Sequence, residues 1–174
     1  MIRLIILFLL SFGILSSETT QDKIGFTVKH KFKTVNGKVQ KFSINNLSLK
    51  KEANRYSAQP FSIQFKLLDM RTGDPNRDSH MLEVLGYPEQ ESIELQITKV
   101  EEIKPKEEYK IYLDAKINGV TQSLESIATT VEKEGKVQIK GQLKILLDQF
   151  KIKAPSLLFF PIENTVLCEY EFNV

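Results

Sequence analysis

Residues 166–174 read as two faces. Val166, Cys168, Tyr170, Phe172 and Val174 share one parity, while Leu167, Glu169, Glu171 and Asn173 share the other. A strand sends successive side chains to opposite sides, so this segment has one apolar face and one mostly acidic or polar face. Ile24, Phe26, Val28, His30 and Phe32 alternate in the same way with Gly25, Thr27, Lys29 and Lys31. Segments of this kind recur along most of the chain. A sheet with one apolar face must cover it, and a sheet that closes on itself turns the covered space into a candidate pocket for an apolar ligand.

Turn-forming residues divide the chain into about eight strands. The first covers about 23–33, and Asn36-Gly37 is the turn signal after it. A second follows through 39–50, with a parity change at Asn45-Asn46 that suggests a bulge. Residues 51–59 are polar and read as a connection. Phe61, Ile63, Phe65 and Leu67 mark the third strand. Gly73, Asp74-Pro75 and Asn76 then interrupt the pattern. A short helix over 78–85 follows, with Asp78 as its N-cap and Gly86 as its stop.

Ile93, Leu95 and Ile97 mark the fourth strand, and Tyr109, Ile111, Leu113, Ala115 and Ile117 the fifth. Asn118-Gly119 is the strongest hairpin signal, because both residues tolerate positive φ. The sixth strand, about 120–132, changes parity between Leu124 and Ile127. Glu134-Gly135 turns the chain into a seventh strand marked by Val137, Ile139, Gly141, Leu143 and Ile145. Residues 148–162, with Pro155 and Pro161, connect it to the last strand. Strands joined mostly to their sequence neighbours form an antiparallel sandwich or barrel. The expected fold is therefore all-β, an eight-stranded antiparallel barrel with a short helix within 70–88.

Charge and targeting narrow the function. Twenty-four Lys and Arg against 22 Asp and Glu leave a net charge of +2, so no broad nucleic-acid surface is expected. Arg3 precedes the apolar run 4–15, and the composition changes abruptly at Ser16, Ser17 and Glu18. The run is short for a membrane span, which needs about 20 residues, and fits the core of a signal peptide. Residues 1–17 are read as a signal peptide and 18–174 as one domain, exported to the periplasm or secreted. Cys168 is the only cysteine, so no internal disulfide is available. It reads as a small hydrophobe. An outer-membrane barrel would have to pack Lys29, Lys31, Lys66, Lys136, Lys140, Lys144, Glu169 and Glu171 inside it, which is costly. An apolar interior is favoured.

The stretch 70–88 carries a resemblance. Thr72-Gly73, Arg77-Asp78, His80, Met81-Leu82 and Tyr87-Pro88 lie between two strands. In that order they resemble the YceI family of bacterial lipid-binding proteins. Phe26-Thr27-Val28-Lys29-His30, Gly119-Val120-Thr121 and the segment 150–156 agree with other parts of the family pattern. Lys151 stands where the family usually has a glycine. The resemblance covers nearly all of the mature chain. It implies a lipocalin-like barrel that is exported, holds a polyisoprenoid such as an isoprenoid quinone tail, and has no established catalytic residues.

The candidate lipid-binding residues are Phe26, Val28, His30, Phe42, Phe65, Ile97, Ile111, Leu113, Leu143, Ile145, Tyr170 and Phe172. Some of the phenylalanines must pack as core whatever the function. His30, on the apolar parity, is either a satisfied interior histidine or a polar spot for a ligand headgroup, with Tyr109 and Tyr170 as candidate partners. Gly141 and Ala115 are candidate positions for blocking a cavity. His30 and His80 are the only histidines; no metal spacing, phosphate loop or nucleophile elbow is present. No enzyme, metal or obligate cofactor is expected, beyond a bound isoprenoid quinone or polyprenyl lipid. The expected partner is an apolar lipid; transient membrane contact and a homodimer are compatible with the sequence.

Energetically, a tail suffices. Ten buried CH₂ groups contribute about 8 kcal/mol, on the order of micromolar binding before ordering costs. The rival readings are an envelope stress-related structural or interaction protein with a self-filled barrel, and a lipid enzyme using His30 as base.

Overall fold

The computed structural model describes residues 22–174 except 54, 134 and 158. The expected signal segment lies outside the described residues. The elements are β1 (Lys23–His30), β2 (Lys33–Val39), β3 (Ser43–Asn45), β4 (Leu49–Glu52), β5 (Arg55–Ala58), β6 (Phe61–Lys66), β7 (Met70–Arg71), α1 (Pro75–Val84) and β8 (Ser92–Lys104). They continue with β9 (Glu108–Ile117), β10 (Val120–Lys133), β11 (Lys136–Leu146), β12 (Ser156–Leu157), β13 (Phe160–Pro161) and β14 (Thr165–Asn173). One antiparallel sheet runs β3-β6-β8-β9-β10-β11-β14-β1-β2-β7, and β4-β5 and β12-β13 form separate two-stranded sheets.

The sheet is curled into a lipocalin-like barrel. β2 and β3 are consecutive in the chain yet lie near opposite ends of the strand order, so residues 40–42 carry the backbone across the seam. Gln40 N–H donates to the Asp69 carbonyl at 2.8 Å there. With β2 and β3 counted as one interrupted strand and the two-residue β7 set aside, the barrel has the eight expected strands. The break at Asn45-Asn46 is the end of β3, with Asn46 at φ 64°, and not a bulge. The bulges lie in β8, between Ile97 and Lys99 and between Glu102 and Lys104.

Asn118 and Gly119 turn the β9–β10 hairpin with φ of 49° and 71°, as their tolerance of positive φ predicts. Asn36-Gly37 does not turn the chain. Both residues lie inside β2, and the turn is at Lys31 and Phe32. The reason is steric: Gly37 pairs with Phe26 across the ladder, and a Cβ on Gly37 would sit 2.1 Å from the Phe26 ring. This glycine makes room for an aromatic side chain.

The helix starts earlier than the sequence suggests. Asp74 is its N-cap, accepting from Asn76 N–H at 3.0 Å and Arg77 N–H at 3.1 Å, and Pro75 opens the first turn. Proline suits that position because its missing N–H would have no intrahelical partner. Asp78 is instead a buried clamp. Its carboxylate accepts from the Thr72 N–H at 2.8 Å and from the Thr72 hydroxyl at 2.5 Å. Arg77 donates to the Thr72 hydroxyl and carbonyl, each at 2.9 Å. Gly86, at φ 86°, follows the helix as expected.

Two further expectations are corrected. Residues 51–59 are not a plain connection; they contain most of the β4–β5 hairpin. β10 also keeps one parity throughout. Ser126 and Ala128 are buried, while Ile127 and Val131 are 42% and 57% exposed. The inward register of β10 is set by its pairing with Leu113 and Ile111 of β9, and the two large apolar residues are left outside.

The barrel therefore has two unlike ends. At the helix end, α1, the 31–32 turn and residues 147–152 converge, and Leu67, Ala115 and Phe150 are almost completely buried. Lys151, at φ 56°, caps the 3₁₀ turn over Leu147–Phe150 in a left-handed conformation, where glycine is the easier fit. At the hairpin end, β4 and β5 lie across the termini of β8, β9 and β10.

Candidate functional site

A cavity of about 100 Å³ occupies the hairpin end. Its wall is drawn from most strands: Ile24 of β1, Phe61 and Ile63 of β6, Leu95, Ile97 and Val100 of β8, and Tyr109, Ile111 and Leu113 of β9. Ser126, Ala128 and Thr130 of β10, Ile139 and Leu143 of β11, and Tyr170 and Phe172 of β14 continue it. Leu47, Leu49, Tyr56, Ser57 and Ala58 cover it from the hairpin. The wall presents no polar surface to the space.

The hydroxyls of Ser126, Tyr170 and Tyr109 in this wall each have a protein partner. Ser126 Oγ donates to the Gln142 carbonyl at 2.7 Å. Its single proton is thus used, so Tyr170 Oη donates to Ser126 Oγ across their 2.8 Å contact. Burial pushes the Tyr170 phenol above its ordinary value. Tyr109 Oη accepts from the Tyr56 N–H at 3.2 Å and lies 3.3 Å from Glu102; burial also raises its phenol. All three hydroxyl side chains are neutral at ordinary pH, and the space they border is fit for hydrocarbon.

Glu132 ties the hairpin down. Its carboxylate accepts two hydrogen bonds from Lys51 Nζ, at 2.7 and 2.9 Å, and one from Tyr56 Oη at 2.9 Å. Hydrogen bonds from Lys51 and then Tyr56 hold the Glu132 carboxyl below its ordinary value. The Lys51 ammonium is raised by the same bond.

Of the twelve candidate residues, Ile97, Ile111, Leu113, Leu143, Tyr170 and Phe172 lie on the cavity wall. The other six do not. Phe26, Phe65 and Ile145 are buried in the core, and Val28 and Phe42 pack against it. Phe42 meets the Phe172 ring at 5.9 Å between centroids. His30 is at the helix end, away from Tyr109 and Tyr170. Its Nδ1 accepts from the Phe32 N–H at 3.3 Å, so its Nε2 carries the proton and donates to the Phe160 carbonyl at 3.1 Å. His30 does not line the cavity.

The proposed blocking positions move as well. Ala115 is buried away from the cavity, and Gly141 is covered by the Tyr170 ring, 2.2 Å from where a Cβ would stand. Several wall residues were readable from parity, including Ile24, Phe61, Ile63, Leu95 and Ile139. Ser126, Ala128 and Thr130 were obscured because the outward Ile127 drew the pattern to itself. The hairpin residues were hidden in a stretch whose lysines, arginine and glutamate look like loop.

Other chemistry is sparse. Burial pushes the Cys168 thiol up to about 12, which leaves it a weak nucleophile. Among the described residues no group of His, Cys, Asp or Glu could hold a metal ion, and no helix is long and apolar enough to cross a membrane.

The profile of the YceI-like domain matches residues 16–174. No curated protein matches the chain. Among solved structures, BcnA from Burkholderia cenocepacia superposes with a TM-score of 0.69 at 14% identity, covering 88% of this chain and 96% of that one. A polyisoprenoid binding domain from Saccharophagus degradans, implicated in plant cell wall breakdown, gives 0.64 at 10% identity, with 87% and 92% covered. The YCEI protein of Campylobacter jejuni gives 0.62 at 20% identity, with 84% and 89% covered. At these identities the superpositions speak for the fold.

Proposed function

This chain belongs to the YceI-like domain family, and from that premise we propose that it is an exported binding protein which holds the tail of an isoprenoid or similar long-chain lipid in its barrel, for transport or storage. The observation that carries this reading is the cavity at the hairpin end, lined by side chains from most strands and presenting only apolar surface. A wall of this kind selects for hydrocarbon and is indifferent to the headgroup, which must sit at or beyond the hairpin. The superposition on a polyisoprenoid binding domain supports an isoprenoid as the occupant. The neutral wall, the occupied hydroxyls and the remoteness of His30 support binding without catalysis.

Size sets the mechanism. A cavity of about 100 Å³ has room for roughly seven to ten water-sized groups, which is about two five-carbon units. A longer tail must move the hairpin outward, and the hairpin can move because it is not part of the main sheet. Each CH₂ that enters contributes about 0.8 kcal/mol, so a tail of about ten carbons can offset the weak surface bonds that hold the hairpin closed. The small volume also favours a second reading, a structural or interaction protein whose barrel is filled by its own side chains.

Organic extraction of protein purified from its own host, followed by mass spectrometry, separates the two. A stoichiometric long-chain or prenyl lipid is expected. Protein that extracts clean, and that takes up no added prenyl lipid, would leave the self-filled barrel as the function to pursue.

A further inference from the structure

The helix end of the barrel carries an aromatic tip that the lipid cavity does not use. Phe32, Phe159 and Phe160 are 62%, 99% and 40% exposed. Phe32 sits in the β1–β2 turn, while Phe159 and Phe160 come from the β12–β13 segment. The rings of Phe32 and Phe160 meet edge-on at 5.4 Å, and the Lys31 ammonium lies 4.3 Å from one and 5.5 Å from the other. One side-chain and one backbone hydrogen bond fix the two segments together: His30 Nε2 donates to the Phe160 carbonyl, and the Glu163 N–H to the Lys29 carbonyl at 2.8 Å. Phe159 has φ 69°, a region that bulky residues rarely occupy.

Charge collects around the same tip. Lys29, Lys31, Lys33, Lys151 and Lys153 are all exposed, and the two segments 29–33 and 148–163 hold only Asp148 and Glu163 against them. Five lysines against two carboxylates give these segments a net +3, where the whole chain carries +2. Flexible cations around projecting aromatic rings match an anionic bilayer: the rings enter the headgroup–acyl boundary while the ammonium groups stay at the phosphates.

We propose that this tip docks the protein onto anionic phospholipid surfaces. A protein docked by Phe32, Phe159 and Phe160 holds the hairpin end, and with it the cavity, on the side away from the bilayer. The proposal rests on the surface alone and not on what the cavity contains.

Sedimentation with vesicles tests it. One set is phosphatidylcholine, and the other contains phosphatidylglycerol in addition; neither holds prenyl lipid. The wild type is expected to sediment with the anionic set and to be released by high salt. Phe159→Ser should weaken partition about tenfold, and Phe32→Ser with Phe159→Ser more, given the apolar area withdrawn. Lys31→Glu with Lys153→Glu should abolish the preference for anionic vesicles. Melting temperature and uptake of a prenyl lipid should not change in any of these variants, so loss of docking and loss of cargo are read separately. Wild-type protein left in the supernatant, or a Phe32→Ser, Phe159→Ser variant that sediments like wild type, would overturn the proposal. Self-association of the wild type in analytical ultracentrifugation, lost in that variant and without vesicle binding, would reassign the tip to a contact between copies.

Discussion

The two ends of this barrel share one alternating pattern and reach opposite results. At the helix end the inward residues are large. Phe150 and Leu67 are enclosed, and Phe26, Phe65, Met70 and Leu147 pack around them. At the hairpin end the inward residues of β10 are Ser126, Ala128 and Thr130, and the hairpin contributes Ser57 and Ala58. Alternation decides which side chains point inward, but their volumes decide whether the interior becomes core or cavity. The clamp of Thr72, Arg77 and Asp78 adds fixed polar bonds at the first end. The second end is held shut mainly by bonds at an exposed carboxylate.

That contrast can be broken from its densest point. Phe150→Ala should cost about 3–5 kcal/mol in urea unfolding, because nothing nearby can collapse into the space. A cost below ~1 kcal/mol would mean that the helix end is not the stabilising half. Ala128→Phe makes the opposite change at the opposite end. It should cut uptake of a prenyl lipid by tenfold or more while altering stability by only about 1 kcal/mol. Unchanged uptake in a titration of this folded variant would place the ligand outside the barrel.

Glu132→Gln gives the smallest effect and the sharpest view of the hairpin. It keeps the shape of the side chain and removes its charge. Lipid uptake in stopped-flow mixing should accelerate about two- to fivefold, with the melting temperature unchanged. Acid should act in the same direction. The Glu132 carboxyl is held below its ordinary 4.5, so its bonds to Lys51 and Tyr56 are complete above that value. They are lost as the pH falls through the depressed pKa of the closed form. An uptake rate that is flat through that window in wild type, or that still responds in the Gln variant, would dissociate Glu132 from hairpin opening.

Much of this architecture was legible in the residues. Alternation placed most of the long strands, and Asn118-Gly119 named its own turn; the second strand, expected over 39–50, instead runs as β2 over Lys33–Val39 and β3 over Ser43–Asn45. Asn36-Gly37 misled because a glycine can serve a neighbour's volume as well as its own backbone, and only the pairing with Phe26 distinguishes the two uses. The cavity was harder to read for a related reason. Space is made by residues too small to register in a hydrophobic pattern, so Ala128 was passed over in favour of Ile127, which faces water. His30 shares the parity of the wall residue Ile24, but parity carries no information about distance along the barrel axis. Six residues separate them, and His30 lies at the closed end.

The hairpin forms a sheet of its own, joined to the barrel through side chains and a tyrosine hydroxyl. Its backbone bonds can therefore open as a local cooperative unit, at a free energy set by Glu132, Lys51, Tyr56 and a few apolar contacts, well below that of global unfolding. Amide protons of residues 49–52 and 55–58 should exchange with solvent while those of β9 and β10 remain protected. A protein built this way has two nearly independent stabilities. Changes within the hairpin can reset how fast the cavity fills and empties while the barrel melts where it always did.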